Sequence, residues 1–295
     1  MKSKPSRKVF VFFNTLLMML LCLLCLLPIL HILAISLSEK GAVAAGYVKL
    51  FPVDFTLASY RYVMEKTEFW RSIGVTLKRL VLGSTLSIFL TILTAYPLSK
   101  PSTQFRRRTL YVWFLVITML FNGGLIPNFM LVRELNLMDS IWALILPGII
   151  PVFNVVLLLN FFRDLPKELE EAARMDGASH FRILWRIYVP LAAPAIATIS
   201  LFTIVGYWNE WFSGMIYMNR PENYPLQTYL QSVVVQTSLT EVSTGSLAEM
   251  RDRMLISDRT FKSAQIFLGA LPILCVYPWL QKYFTKGMTL GGVKG

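Results

Sequence analysis

Six stretches of this chain, at 9–38, 80–99, 109–132, 140–162, 187–219 and 263–281, contain among them a single Asp, Glu, Lys or Arg, which is Glu210. A helix needs about 20 apolar residues to cross roughly 30 Å of hydrocarbon, and each stretch is of that order. The pattern predicts an all-α integral membrane protein with six transmembrane helices. Composition agrees. With 55% of its 295 residues apolar and 16% charged, the chain lacks the charged coat that a soluble globule of this size needs. The first stretch follows Lys2, Lys4, Arg7 and Lys8 as a secretory signal would, but it is too long for a signal's apolar region and has no clear small-x-small cleavage site. It is expected to be retained.

The net charge of +12 raises nucleic acid as a partner, but the basic residues sit between apolar runs and no aromatic-and-basic stripe offers base stacking. They orient the bundle instead. Setting aside Lys78, Arg79 and Glu210, the tails and the 99–109 and 163–186 loops carry a net +11, whereas the remaining loops sum to 0. Positive loops stay inside, so both termini are expected in the cytoplasm, with the 39–71 and 220–262 loops outside. The organisation is therefore a tail at 1–8, a six-helix transmembrane domain at 9–285 and a second tail at 286–295. Cys22, Cys25 and Cys275 all lie in apolar runs and are expected to be buried, inert thiols, Cys22 and Cys25 facing lipid or core, rather than a disulfide or zinc framework. His31 and His180 fall in different elements, and there is no H-E-x-x-H, so no zinc-peptidase site is implied. Asn122, Gly123, Gly124 and Pro127 fall inside the third span, where they predict a break or a bend.

The 163–186 loop is the most informative segment. Asp164 is expected to cap a short helix, with Pro166 in its first turn, Glu168, Glu170 and Glu171 in its amino-terminal half and Gly177 in the left-handed turn that ends it. Leu165, Leu169, Ala172 and Ala173 recur at helical spacing, giving a thin apolar face suited to a groove in another protein. A second amphipathic piece follows. Ser179 caps it, Phe181, Leu184, Trp185 and Tyr188 share a face, and Arg182 and Arg186 lie opposite, so it is expected along the inner membrane surface before Pro190 and Pro194 turn the chain.

Glu171-Ala172-Ala173, three residues, Gly177, nine residues and Ile187-Tyr188-Val189-Pro190 resemble the EAA-x3-G-x9-I-x-L-P motif of permease subunits of binding-protein-dependent ABC importers, with Val189 standing for Leu. The tail at 279–287 and 291–295 resembles the carboxy-terminal signature of carbohydrate permeases, in particular the oligosaccharide and complex-polysaccharide branch. The resemblance implies a type I ABC importer fold in which 163–186 is a coupling helix docked on a cytoplasmic ATPase. Ala172 and Ala173 would pack, Glu171 would make a rim contact, Gly177 would set the helix angle, and Ile187 and Pro190 would close the motif. It further implies a second permease subunit, identical or different, two ATPase copies, an extracytoplasmic solute-binding protein, membrane lipid around the bundle and a carbohydrate substrate. The chain itself would bind no cofactor, ATP and Mg belonging to the ATPase, and it contains no G-x-x-x-x-G-K-[ST] loop. An amino-acid or peptide permease shares the EAA loop, and a membrane-bound enzyme or receptor scaffold is the alternative from another class.

Glu210 is the sole acid in a predicted span, and an ionisable group in hydrocarbon is costly unless it meets water or a partner. With Tyr207, Trp208, Asn209 and Trp211 it either lines a sugar path, the rings stacking on sugar faces, or anchors the helix at the outer interface as a hydrated carboxylate. Lys78 and Arg79 either snorkel to the surface or, at a pore mouth, favour acidic sugars such as uronates.

Overall fold

The computed structural model describes residues 5–236 and 258–291, with side chains at 7–233 and 259–275. The described residues are mostly helical. They begin with α1 (Pro5–Ser36), α2 (Lys40–Ala44), α3 (Ala58–Glu65), α4 (Thr67–Ser99), α5 (Arg108–Leu120), α6 (Leu125–Glu134), α7 (Ile141–Ile145) and α8 (Val152–Asp164). They continue through α9 (Lys167–Met175), α10 (His180–Ile183), α11 (Val189–Leu191), α12 (Ala193–Asn209), α13 (Phe212–Tyr217), α14 (Leu226–Gln236) and α15 (Asp258–Gly291). A single π turn at Leu184–Tyr188 joins α10 to α11.

Two of the expected spans are single long helices in the membrane-crossing range, in α1 and α4, and counting each of two bent helix pairs as one span gives four among the described residues. The 263–281 stretch lies within α15. The other three stretches are not straight rods. The 109–132 stretch bends by 113° between α5 and α6. The expected break is there, with the Asn122 side-chain carbonyl accepting from the Gly124 amide at 3.0 Å. The 140–162 stretch divides into α7 and α8, because Pro147, Gly148 and Pro151 stand between them and proline cannot continue a helix's bonding. The 187–219 stretch starts inside the π turn, bends by 81° at Ala192 and opens again after Asn209. Hydropathy alone registers none of these interruptions, since the breaking residues are uncharged.

Among the described residues, those within 1–70 and 230–272 form one compact unit, and those within 71–229 and 273–291 form another. In the first, the end of α1 packs Ala34 and Ile35 against Ala42, Val43 and Val48. The Ser36 hydroxyl meets the Tyr60 hydroxyl at 2.7 Å, and Tyr62 sets its ring edge-on to Phe261. Most of α1 is uncovered, so Cys22 and Cys25 are exposed, as is Cys275, and none of the three lies in the protein core.

The second unit holds the larger core. Ile92, Ala95, Tyr96 and Leu98 of α4, Val155, Leu158, Leu159 and Phe162 of α8, and Ala195 and Ile199 of α12 close around Ile183, Leu184 and Tyr188. Phe162, Tyr96 and Tyr188 make mutual edge-on ring contacts at centroid distances of 5.0 to 6.5 Å, the offset geometry that aromatic quadrupoles favour. α4 and α12 approach closely at Gly83, where an added Cβ would lie 2.8 to 3.1 Å from three ring carbons of Tyr207. The buried Asn154 amide donates to the Thr203 hydroxyl at 3.2 Å, tying α8 to α12.

Candidate functional site

The 163–186 segment is a helix, a turn and a second helix, as its sequence implies, with one shift at its start. α8 runs through Asp164, and α9 begins at Lys167 after an extended Leu165 and Pro166, so Pro166 rather than Asp164 holds the cap position. Gly177 has φ +73°, the left-handed conformation that glycine adopts without steric cost, and it ends the turn after α9. The Ser179 hydroxyl accepts from the Arg182 amide at the start of α10.

The rotation of α9 about its axis is where the structure corrects the sequence. Leu165 and Ala173 turn inward against the second unit's core, whereas Leu169 (43% exposed), Ala172 and Met175 face away from it. The outward face is therefore Leu169, Ala172 and Met175, with Glu168 and Glu171 also exposed, and Ala173 belongs to the internal packing.

Glu170 decides that rotation. It is 7% exposed and Lys100, just beyond α4, is 6% exposed, and the Lys100 ammonium donates to Glu170 Oε2 at 2.7 Å. The Tyr188 hydroxyl accepts from Lys100 at 3.0 Å and donates to the same Oε2 at 2.5 Å. Arg174, one turn along α9, donates to Oε1 at 2.6 Å. The rings of Tyr96 and Tyr188 lie 4.0 and 4.1 Å from the ammonium, completing its shell through their π faces. Burial pushes the Glu170 carboxyl up, but the bonds from Lys100 and Tyr188, the Lys100 charge and the Arg174 bond outweigh it and hold the group below the ordinary carboxylate range. Burial draws the Lys100 ammonium down, with Glu170 offsetting part of that.

By sequence alone Glu170 is one of three dipole-favouring acids and Lys100 one of many loop cations. The spacing of Glu170, Ala173 and Arg174 as i, i+3 and i+4 is the local signal that this acid shares a face with the packed alanine. On the inner side of α9, a cavity of about 400 Å³ is lined by Lys100, Arg108, Arg163, Lys167 and Arg174 together with Glu170 and Glu171. Ile187 is half-buried against the core and Pro190 is exposed within α11. In the second amphipathic piece Leu184 and Tyr188 are buried and Trp185 stacks on Phe89 of α4, while Phe181 is exposed.

The second cluster lies at the opening between α12 and α13. Arg79 of α4 is 2% exposed and does not snorkel. It donates to Glu210 Oε2 at 2.6 Å, to the Glu210 carbonyl at 3.2 Å and to the Leu144 carbonyl at 3.2 Å, with Tyr207 presenting its ring 5.3 Å away. Glu210 Oε1 accepts from the Ser213 amide at 2.6 Å, in the first turn of α13. Thus Glu210 is neither alone nor simply hydrated. Trp208 is 7% exposed and faces into the protein, Asn209 and Trp211 are exposed, and Tyr207 is half-buried. Lys78 is exposed and lines a cavity of about 250 Å³ with Asp139 and Asn223. No cluster of metal-ligating side chains occurs among the described residues. The tail signature at 279–287 and 291–295 lies outside the described side chains, and the middle of the 220–262 loop lies outside the described residues.

A family model described as "binding-protein-dependent transport system inner membrane component" matches residues 2–290. The chain belongs to this family. The permease is 42% identical to protein LplC of Bacillus subtilis over 246 residues, 83% of this chain and 81% of that protein. It is 41% identical to the polygalacturonan/rhamnogalacturonan transport system permease protein YtcP of the same organism, over 83% of this chain and 84% of that one. Among solved structures, a bacterial ABC transporter involved in the import of the acidic polysaccharide alginate matches with a TM-score of 0.87 and 34% identity, covering 96% of this permease and 99% of that chain.

Proposed function

We propose that this permease is one of two transmembrane halves of an ATP-driven importer in the bacterial cytoplasmic membrane, that α9 is the helix on which a cytoplasmic ATPase docks, and that the cargo is an acidic oligosaccharide derived from a polysaccharide. The observation that carries the docking assignment is the outward face of Leu169, Ala172 and Met175, held at a fixed rotation by the burial of Glu170 on the opposite side. A small side chain at Ala172 between two larger apolar ones suits entry into a groove, and the exposed Glu168 and Glu171 supply a charged rim. The topology in this proposal is six spans with both termini inside, supported by the +11 against 0 loop imbalance. The partners are a second permease subunit, two ATPase copies carrying ATP and Mg, and an extracytoplasmic binding protein, the last in keeping with the family's description.

The acidic cargo rests on the polygalacturonan/rhamnogalacturonan and alginate transport named for relatives at 41% and 34% identity. Arg79 is committed to Glu210, so it leaves no open cation for a uronate; Lys78 is the exposed one of the two. A path along Asn209, Trp211 and Lys78 keeps an amide, one ring and one cation available to sugar, with the half-buried Tyr207 ring turned to Arg79.

The test of docking is Ala172→Asp, which places a charge on the outward face without entering the core. The variant is expected to reach the membrane at the wild-type level while losing the co-purifying ATPase and sugar uptake. Wild-type ATPase retention with normal uptake refutes the docking face. For cargo, the assembled transporter is expected to take up galacturonan or alginate oligosaccharides at least tenfold faster than neutral ones of equal length. Equal rates refute the acidic preference.

A further inference from the structure

Both buried ion pairs described above have their cation on or just beyond one helix. Arg79 lies within α4 and Lys100 immediately follows its last residue. Twenty-one residues at 1.5 Å each separate them by about 30 Å, the thickness of a bilayer's hydrocarbon. At one end Lys100 holds Glu170 of α9, and at the other Arg79 holds the backbone and side chain of Glu210, where α12 gives way to α13. Between them α4 is one helix, with Pro97 in its last turn beside Lys100, packed through Ile92, Ala95 and Tyr96 into the core and through Gly83 against Tyr207 of α12.

We infer that α4 is the rod by which movement of α9 reaches the α12–α13 opening, gripped by Lys100–Glu170 at one end and by Arg79–Glu210 at the other. The inference rests on α9 being the ATPase-docking helix. Its first support is the completeness of the Lys100 joint. The ammonium meets a carboxylate, a hydroxyl and two ring faces, and the carboxylate meets Lys100, Tyr188 and Arg174, so neither partner has another place to go while the core is closed. Its second support is the choice of chemistry. A buried ion pair is seldom more stabilising than well-packed apolar residues of the same volume, whereas it is directional and specifies one partner. A joint that must carry displacement without slipping has a use for direction, and apolar packing between α9 and α4 would permit sliding. At the far end Arg79 bonds two backbone carbonyls, Leu144 in the last turn of α7 and Glu210 just after α12, so a shift of α4 acts on backbone as well as on a side chain.

The experiment uses the complete transporter in lipid nanodiscs, with Lys100→Met, Glu170→Gln and the Lys100→Met/Glu170→Met double variant. Two quantities are read at matched ATPase content: the ratio of ATP hydrolysis with and without sugar-loaded binding protein, and the ATP-dependent change in labelling of a Phe212→Cys reporter on α13, in a background where Cys22, Cys25 and Cys275 are replaced by serine. Each single variant is expected to lower the ratio at least tenfold and abolish the labelling change while ATPase remains bound. The double variant, which leaves no buried charge unpaired, is expected to assemble at the wild-type level and still lack both responses. Ratios within twofold of wild type in the single variants overturn the inference. So does a double variant that recovers both responses, because apolar packing would then transmit as well as the ion pair. An absence of any ATP-dependent labelling change in the parent that carries only the Phe212→Cys reporter also overturns it. The underlying assignment fails separately: if Ala172→Asp keeps its ATPase and uptake, the docking face is wrong, whereas if Ala172→Asp detaches the ATPase and Glu170→Gln behaves as wild type, only the rod is wrong.

Discussion

Glu210→Gln removes one negative charge from beside a guanidinium that is almost wholly enclosed. The Arg79 side chain is 3% exposed and that of Glu210 is 30% exposed, with 2.6 Å between the charged atoms. Breaking a fully buried pair by removing one partner costs about 3–5 kcal/mol. Three features reduce that here. Glutamine keeps an acceptor for Arg79 or for the Ser213 amide, the Leu144 and Glu210 carbonyls still receive the guanidinium, and the Tyr207 ring still faces it. The expected loss is therefore about 2–3 kcal/mol, at or just below the lower end of that range. Arg79→Leu combined with Glu210→Gln removes both charges, so no buried cation is left uncompensated, and the double variant is expected within about 1 kcal/mol of wild type. The assay is reversible denaturation of the purified chain in mixed micelles, arranged as a double-mutant cycle so that the interaction energy is separated from the two single losses. A Glu210→Gln variant as stable as wild type, or a double variant no more stable than Glu210→Gln, would show that Arg79 does not depend on this carboxylate and would refute the reasoning.

Glu170 is held below its ordinary value of 4.5, so its contribution is fully present above that value and is lost as pH falls through the lower folded one. The stability deficit of Glu170→Gln relative to wild type should accordingly be flat from pH 8 to about pH 5 and shrink below 4.5 in thermal unfolding, and a deficit growing on acidification would contradict this. Gly83→Ala puts a Cβ within 2.8 to 3.1 Å of Tyr207 ring carbons, so α4 and α12 must separate or the ring must move. Overpacking of this kind costs about 1–3 kcal/mol, and Gly83→Ala/Tyr207→Leu should recover most of it; no loss in the single variant would mean that α4 and α12 part freely at this point. For topology, in a background without native cysteines, Ser102→Cys should resist an impermeant thiol reagent in intact cells while Asn219→Cys reacts, and the reverse pattern would place α9 on the side away from any cytoplasmic ATPase.

Whatever depends on composition and on neighbours along the chain is legible in the residues alone. Long uncharged runs read as membrane helices, the Asn-Gly-Gly-Pro region reads as a break, Gly177 and Ser179 read as a left-handed turn and a cap, and the EAA spacing carries the family resemblance. These are local effects: an amide that lacks a partner, a φ only glycine takes easily, a residue's transfer from water. Contact between distant residues is settled only by the folded chain. Lys100 and Glu170 are 70 positions apart, and Arg79 and Glu210 are 131 apart. No periodicity links them, so the same Arg79 reads from sequence as a snorkelling surface residue and is in fact enclosed. The face of α9 is settled in the same way. Helical spacing groups Ala172 with Ala173, but burying Glu170 beside Lys100 turns Ala173 inward and leaves Ala172 outside, because a buried carboxylate tolerates only the one rotation that brings it to its cation.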